Sequence, residues 1–176
     1  MGLLIDELLQ LSRLTRVPMD QQAVDLGAIA TEVVGELGRA EPVRQVEVRV
    51  GDELTVRGDR TLLRAVVQNL VGNAWKFTAR KEAARIEFGA DKKPGQGLQS
   101  PVYYVRDNGA GFDMAYAGKL FSPFQRLHAE SEFPGTGIGL ATAQRIVRRH
   151  GGDIWAEGKV GEGATFYFTL EREEEK

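Results

Sequence analysis

The 176-residue sequence contains no cysteine, and this absence excludes disulfide bonds and thiolate metal sites. It also lacks any apolar run near the roughly 20 residues that a membrane-spanning helix requires. The opening segment "MGLLIDELLQLSRLTR" carries acidic residues inside its apolar stretch, which does not match the layout of a signal peptide. The formal net charge of −2 gives no reason to expect a broad nucleic-acid interface. We therefore expect a soluble protein without a nucleic-acid partner.

The composition does provide for a full hydrophobic core. Apolar residues make up 42% and charged residues 27% of the chain, which is typical of a globular protein, and the length suits one domain. Helical and strand patterns are segregated along the chain rather than alternating, which favours an α+β fold. We expect a two-layer sandwich in which a mixed sheet of about five strands is covered on one face by three helices.

The pattern of apolar residues and breakers places the individual elements. Residues 1 to about 16 predict a helix, either the end of a longer helix or one folded onto the domain, and "VPMDQQ" predicts a linker. Asp25 and Asp59 are predicted to cap two further helices, with Gly38 ending the first. "GIGLATAQRIVRRH" predicts a last helix that stops at Gly151. The predicted strands are the segments "VEVRV", "LTVRG", "ARIEFGAD", "PVYYVRD", "DIWAEG" and "ATFYFTL".

The helix that ends in "NLVGNAWKF" carries polar residues where a core helix would carry aliphatic ones. Leu62 and Val66 begin an apolar stripe that Asn69, Asn73 and Lys76 continue. Burying an amide without a partner costs about 1–3 kcal/mol by mutational estimates. We therefore expect a polar ligand or an ion beside this stripe.

A first glycine-rich stretch, "RDNGAGFD", follows a predicted strand. It places Asp107 at the end of that strand, followed by Gly109 and Gly111. Two glycines let the backbone approach a flat ligand closely, and the carboxylate can accept hydrogen bonds from an exocyclic amine. An ordinary Asp-Asn-Gly turn would have the same letters, so this stretch alone leaves both interpretations open.

A second glycine-rich stretch, "FPGTGIGLATAQRI", leads through Gly135, Gly137 and Gly139 into a helix. Free N–H groups at a helix start, reinforced by the helix dipole, can cradle phosphate. No strand precedes the stretch, and the Gly-Lys-Ser/Thr of a P-loop is missing, so by itself it is weak evidence. Between the two stretches, "LFSPFQRL" offers Phe121 and Phe124 as apolar anchors, and such pairs most often belong to a core.

Taken together and in this order, these segments resemble the ATP-binding catalytic domain of sensor histidine kinases, in the superfamily that also holds gyrase, Hsp90 and MutL. "NLVGNAWKF" is similar to the N box, "DNGAGF" to the first glycine box, "LFSPFQRL" to the F box and "GTGIGLA" to the second glycine box, while "GEGATF" is similar to the final glycine-threonine element. The resemblance covers about residues 23–170. It implies the Bergerat ATP-binding fold for residues 23–171, with residues 1–22 as the end of a dimerisation hairpin plus linker, and residues 172–176 as an acidic tail.

The resemblance implies a role for each site residue in binding ATP and Mg²⁺. Asn73 would help to hold Mg²⁺, Asn69 would lie beside the metal and the phosphates, and Lys76 would reach phosphate as a point charge. Asp107 would accept the hydrogen bond of the adenine amine, and Thr165 would support Asp107 and a water. The other residues that the resemblance assigns to the nucleotide are Phe77, Gly109, Gly111, Phe121, Gly135, Thr136, Gly137, Gly139 and Leu140.

The resemblance also implies the reaction. Relatives that hydrolyse ATP carry a glutamate at the start of the N box, and the amide of Asn69 cannot take a proton from an attacking water. That substitution favours phosphoryl transfer to a histidine, which is itself the nucleophile. Neither His128 nor His150 has the flanking acid and proline of a family acceptor, so we expect the acceptor outside this chain. The segment from about Arg126 to Pro134 would be a lid that closes over the nucleotide.

The partners implied by the resemblance are ATP, the acceptor histidine of a dimerisation domain, a response regulator receiver domain and, in the full-length protein, a second copy. The implied location is the cytoplasm, with membrane attachment of the parent protein left open. Two alternatives remain. The chain could be a degenerate module that uses the fold for protein contacts, which the intact boxes speak against, or an ATP-hydrolysing clamp, which Asn69 speaks against.

Overall fold

The computed structural model describes residues 2–13, 16–91, 101–123 and 137–170. The helices in these ranges are α1 Gly2–Arg13, α2 Leu26–Ala40, α3 Arg60–Phe77 and α4 Gly139–Arg149, with a short 3₁₀ helix at Met114–Lys119. The strands are β1 Gln21–Asp25, β2 Val46–Val50, β3 Thr55–Asp59, β4 Ala84–Asp91, β5 Val102–Asp107, β6 Ile154–Lys159 and β7 Gly163–Phe168. No helix in the described ranges is long and apolar enough to cross a membrane. The segment "KKPGQG", the expected lid and the residues Phe124, His128, Gly135 and Thr136 lie outside the described residues.

Five strands form one sheet in the order β2-β4-β5-β7-β6. β2 runs parallel to β4, whereas the other neighbouring strands are antiparallel, so the sheet is mixed. α3 packs between α2 and α4, and the three helices cover one face of the sheet. The expected α+β sandwich is therefore confirmed.

The core lies between the three helices and the covered face of the sheet. In β4, the apolar residues Ile86 and Phe88 are buried, whereas Arg85, which precedes Ile86, is exposed. This alternation is typical of a strand with one buried face. α3 contributes Leu63 and Leu70, both without exposed surface. Burial of each such side chain stabilises the fold by about 1.5–3 kcal/mol.

The starts of α2 and α3 are fixed by aspartate caps, as predicted. The carboxylate of Asp25 accepts the backbone N–H of Ala28 at 3.1 Å, and that of Asp59 accepts the N–H of Leu62 at 3.0 Å. A cap of this kind contributes about 1 kcal/mol. Gly151, with φ +84°, follows α4 and ends it as expected.

Two local predictions were wrong. α2 continues past Gly38 to Ala40, because a glycine ends a helix only where it adopts a left-handed conformation, and Gly38 has helical backbone. The expected linker continues into β1, which pairs antiparallel with β3 in a separate two-stranded sheet. In β1 only Val24 is buried, so the segment carries no alternation that could have predicted a strand.

Candidate functional site

The polar stripe of α3 lies at the border of the core rather than inside it. Asn69, Asn73 and Lys76 are half-buried, whereas Leu70 beside them is fully buried. The Nδ2 group of Asn69 donates a hydrogen bond of 2.9 Å to the carbonyl oxygen of Ala65, one turn earlier. The donor end of this amide is thus engaged within the helix, and its oxygen Oδ1 faces the neighbouring element.

That neighbouring element is the start of α4. A Cβ atom built on Gly139 would lie 2.7 Å from Oδ1 of Asn69, so this approach requires glycine. Gly137, with φ +79°, turns the chain towards the helix, and Ile138 at the N-cap position makes no side-chain capping bond. Leu140 is partly buried and packs on the core. The fold therefore brings the stripe of α3 and the second glycine stretch together.

Asp107 is a buried carboxylate at the end of β5, with 7% of its surface exposed. It accepts the backbone N–H of Gly109 at 2.8 Å and a second backbone hydrogen bond from Ala164. Burial raises the pKa of Asp107 to about 6, although these two hydrogen bonds act to lower it. A carboxylate has about four acceptor positions, and these two hydrogen bonds occupy two of them. A buried acid with a perturbed pKa is a candidate for a functional role.

Phe77, the last residue of α3, lies against the first glycine loop, which we define as residues 107–112. The backbone N–H of Ala110 donates to the carbonyl oxygen of Phe77 at 3.0 Å. A Cβ atom on Gly109 would lie 2.2 Å from the same oxygen, so the close approach again requires glycine. The ammonium group of Lys76 lies 4.7 Å from the centre of the Phe77 ring. The end of α3 that carries Lys76 and Phe77 is thus packed against the loop that contains Asp107.

Comparison with known families identifies this arrangement. The sequence pattern of the family described as histidine kinase-, DNA gyrase B-, and HSP90-like ATPase matches residues 58–174, a range that contains every site residue named above. The chain belongs to this family.

Relatives of this ATPase domain are histidine kinases and phytochromes. It is 43% identical over 171 residues to cyanobacterial phytochrome B of a Nostoc species, covering 96% of this chain and 22% of that protein. It is 32% identical over 168 residues to the methanogenesis regulatory histidine kinase FilI of Methanothrix harundinacea, covering 95% of this chain and 18% of that protein. The chain thus spans about a fifth of the length of these relatives. Among solved structures, full-length ShkA in complex with AMPPNP superimposes with a TM-score of 0.76 at 25% identity, covering 95% of this chain and 35% of that one.

Within the ATPase domain, the side chain of Thr165 does not support Asp107. β5 and β7 pair so that Asp107 lies opposite Ala164, and Arg106 lies opposite Thr165. Because side chains alternate across a strand, Thr165 lies on the open face of the sheet, where its hydroxyl accepts a hydrogen bond of 3.3 Å from Nε of Arg106. The expected role of Thr165 is therefore corrected: β7 supports Asp107 through the backbone of Ala164.

Phe121 lies in the described part of the F box, residues 120–123, and the structure places it at the edge of the core. Its ring packs edge-on against Phe166 with ring centres 6.3 Å apart. The side chain is partly buried against the core cluster. Within the described residues its contact is thus one of packing. Gly135 and Thr136, two further expected nucleotide ligands, lie outside the described residues.

Sequence reasoning singled out "GEGATF" but did not predict that the turn between β6 and β7 contacts the first glycine loop. The N–H of Gly161 in this turn donates to the carbonyl oxygen of Ala110 at 2.7 Å. A Cβ atom on Gly111, which has φ +65°, would lie 2.0 Å from the carbonyl oxygen of Lys159. Gly163, with φ +99°, approaches a carbonyl oxygen at the end of β5 equally closely. The signal was present in "GEGATF", but only the pairing of distant segments shows what these glycines contact.

Proposed function

We propose that this domain binds Mg-ATP and transfers the γ-phosphoryl group to a histidine outside the chain. The observation that carries the proposal is the buried carboxylate of Asp107 beside Phe77, in a chain that belongs to an ATPase family. An ionised acid accepts a hydrogen bond from the exocyclic amine of adenine. Guanine carries a carbonyl oxygen at that position, which a carboxylate repels. Asp107 is therefore proposed to bind adenine and to select it over guanine.

The contact between Asn69 and Gly139 supports a phosphate site at the start of α4. Backbone N–H groups and the positive end of the helix dipole favour an anion there, and a Cβ on Gly139 would fill the space. Lys76 on the same stripe of α3 adds a positive charge. Asn73, one turn beyond Asn69, offers the oxygen ligand that Mg²⁺ prefers. When bound, Mg²⁺ would neutralise charge that develops on the phosphates. The AMPPNP complex of ShkA, a structural relative, supports a nucleotide as the ligand.

The identity of Asn69 favours phosphoryl transfer over hydrolysis. A general base must accept a proton from the attacking water. The amide of Asn69 cannot do so, and its Nδ2 already donates to Ala65. Transfer to a histidine needs no such base, because an imidazole nitrogen is itself the nucleophile. The domain then contributes by positioning the nucleotide and by stabilising charge.

The acceptor histidine is proposed to lie outside the chain. His150 is 7% exposed, its Nε2 accepts the backbone N–H of Asp59 at 3.1 Å, and its Nδ1 lies 2.9 Å from the carbonyl oxygen of Ile146. This geometry assigns the ring proton to Nδ1 and leaves neither nitrogen available to attack phosphate. His150 is therefore a structural residue.

The exposed apolar side chains of α1 support a role in dimerisation. Ile5, Leu8 and Leu9 are 56%, 38% and 50% exposed, respectively. An amphipathic helix with an uncovered apolar side is suited to packing against other helices. We propose that α1 belongs to the hairpin that carries the acceptor histidine and forms a homodimer in the full-length protein. A response regulator receiver domain is the proposed recipient of the phosphoryl group.

Nucleotide binding is tested by calorimetric titration with AMPPNP in the presence and absence of Mg²⁺. Asn73→Ala should weaken the Mg²⁺-dependent affinity about tenfold or more, because a hydrogen bond or ligand contact to a charged group is lost. Gln68→Ala is the matched control, since it removes a carboxamide from the exposed side of the same helix. Equal affinities of the two variants would contradict the role assigned to Asn73.

Phosphoryl transfer is tested with γ-labelled ATP. The isolated chain should remain unlabelled, and addition of a hairpin segment with its acceptor histidine should give acid-labile, base-stable label on the hairpin. Such label on the isolated chain would overturn the assignment of the acceptor. Steady phosphate release would instead indicate an ATP-hydrolysing clamp, and failure to bind AMPPNP would indicate an interaction module.

A further inference from the structure

The first glycine loop is held between two other backbone segments. On one side, the N–H of Ala110 donates to the carbonyl oxygen of Phe77 at 3.0 Å. On the other side, the carbonyl oxygen of Ala110 accepts the N–H of Gly161 at 2.7 Å. Both backbone groups of Ala110 are thus used, one towards the end of α3 and one towards the turn between β6 and β7. The position of this turn therefore helps to set the position of the loop.

A lysine side chain ties the tip of that turn back to the end of α3. The Nζ group of Lys81 donates a hydrogen bond of 2.9 Å to the carbonyl oxygen of Gly161. Lys81 lies just beyond α3, where its own N–H donates to the carbonyl oxygen of Thr78 at 3.0 Å. The contacts form a closed ring that runs from Phe77 through Ala110 and Gly161 to Lys81. These contacts hold the first glycine loop, which forms one side of the proposed adenine site.

Two glycines permit the turn and the loop to approach closely. Gly111 and Gly163 have no Cβ, and this absence allows the two backbones to meet. The ion pair of Lys159 and Glu162 at 3.2 Å lies within the turn itself, and both side chains are mostly exposed, so it contributes little. Gly161 is hydrogen-bonded both to the loop, through Ala110, and to the side chain of Lys81.

We propose that Lys81 is a positioning residue that sets adenine affinity by holding the first glycine loop through Gly161. This inference rests on the proposed function, since it assigns the loop to the adenine site. Lys81 acts at a distance from the ligand, whereas Asp107 contacts it. The contribution of one exposed hydrogen bond is modest, so the loss of Lys81 should lower affinity about three- to tenfold.

The test compares three variants. Lys81→Met removes the donor and keeps most of the length of the side chain, and Lys81→Arg keeps a charged donor. Lys119→Met is the matched control, because it removes the same charge from an exposed position at the end of the 3₁₀ helix. Affinities for adenosine and for AMPPNP are measured by calorimetry. Amide hydrogen exchange at Ala110 and Gly161 is measured without nucleotide.

Lys81→Met should weaken both ligands by the same factor and should accelerate exchange at Ala110 and Gly161. Lys81→Arg should restore most of the affinity, and Lys119→Met should match the wild type. If AMPPNP weakened while adenosine did not, Lys81 would act through its charge on the phosphates and the proposal would be wrong. Unchanged exchange in Lys81→Met would also overturn it. If the wild type bound neither ligand, the proposed function would fail, while the exchange rates would still show whether Lys81 fixes the loop.

Discussion

Replacing Asp107 with asparagine should stabilise the fold while removing nucleotide recognition. Burial raises the pKa of the Asp107 carboxyl to about 6 from an ordinary value of 3.8. This difference of about 2 pKa units means that the ionised carboxylate destabilises the folded state by about 3 kcal/mol at neutral pH. Asparagine has a similar shape and no charge, so the variant does not carry this cost.

The sign of the pH dependence follows from which state binds the proton more tightly. Between pH values of about 4 and 6, folded Asp107 keeps a proton that the unfolded chain has already lost. The wild type therefore loses stability as the pH rises through this window, and the whole cost is present above about pH 6. Asp107→Asn has no titrating group at this position, so its stability should lack this slope.

The net gain is smaller than the electrostatic cost. The amide oxygen can still accept the N–H of Gly109, but the new NH₂ group needs a partner, and a buried donor without one costs about 1–3 kcal/mol. We expect the variant to be more stable by up to about 2 kcal/mol at pH 7.5. Urea unfolding at pH 4, 5, 6 and 7.5 measures this, with Asp52→Asn, an exposed position between β2 and β3, as the control.

Asp107→Asn should also lose AMPPNP binding. Its NH₂ group would face the adenine amine, and two hydrogen-bond donors repel each other. Wild-type affinity should also weaken as the pH falls from 7 to 5, since protonation removes the charge of Asp107. A variant that is no more stable than the wild type, together with a wild type that shows no slope between pH 4 and 6, would refute the electrostatic reasoning. Full AMPPNP affinity in Asp107→Asn would refute the binding role.

Two further substitutions test the geometry of the site. Gly139→Ala should weaken AMPPNP binding about tenfold, because the new Cβ displaces the oxygen of Asn69. Little stability should be lost, because the better helix propensity of alanine contributes up to about 1 kcal/mol. Calorimetry and urea unfolding separate the two effects, and a large drop in stability would show that the packing of α3 on α4 fails first. Thr165→Val should leave nucleotide affinity within about twofold of the wild type, because the hydroxyl contacts Arg106 on the open face of the sheet. A tenfold loss in the same titration would return Thr165 to the binding site.

Most of the fold could be predicted because its signals are local. Asp25 and Asp59 cap helices through bonds to N–H groups three residues ahead, and β2 and β4 alternate within their own sequences. β1 could not be predicted in this way, since a single buried valine among five residues gives no alternation. It forms because β3 offers a partner strand, and that pairing depends on the folded chain rather than on the segment.

In the candidate site, too, some features could be predicted from the sequence and others depend on how distant segments pair. The resemblance of the motifs to a known family predicted that these segments would share one site, and the structure places Asn69 against Gly139 and Phe77 against Gly109 as neighbours. The face on which Thr165 lies could not be predicted from "GATFYF" alone, because it depends on the register between β5 and β7. A shift of one residue moves every side chain to the other face.

α4 is fixed against α3 at both of its ends, and this sets the spacing of the proposed phosphate site. At the C-terminal end, the buried imidazole of His150 accepts the N–H of Asp59, and a Cβ on Gly58 would lie 2.9 Å from the same ring. At the N-terminal end, Gly139 lies against Asn69. A shift of α4 along α3 would break the first contact and leave the partly buried N–H of Asp59 without His150 as its acceptor. These two contacts oppose a shift of α4 along α3 and so maintain the spacing between Gly139 and Asn69 at the proposed phosphate site.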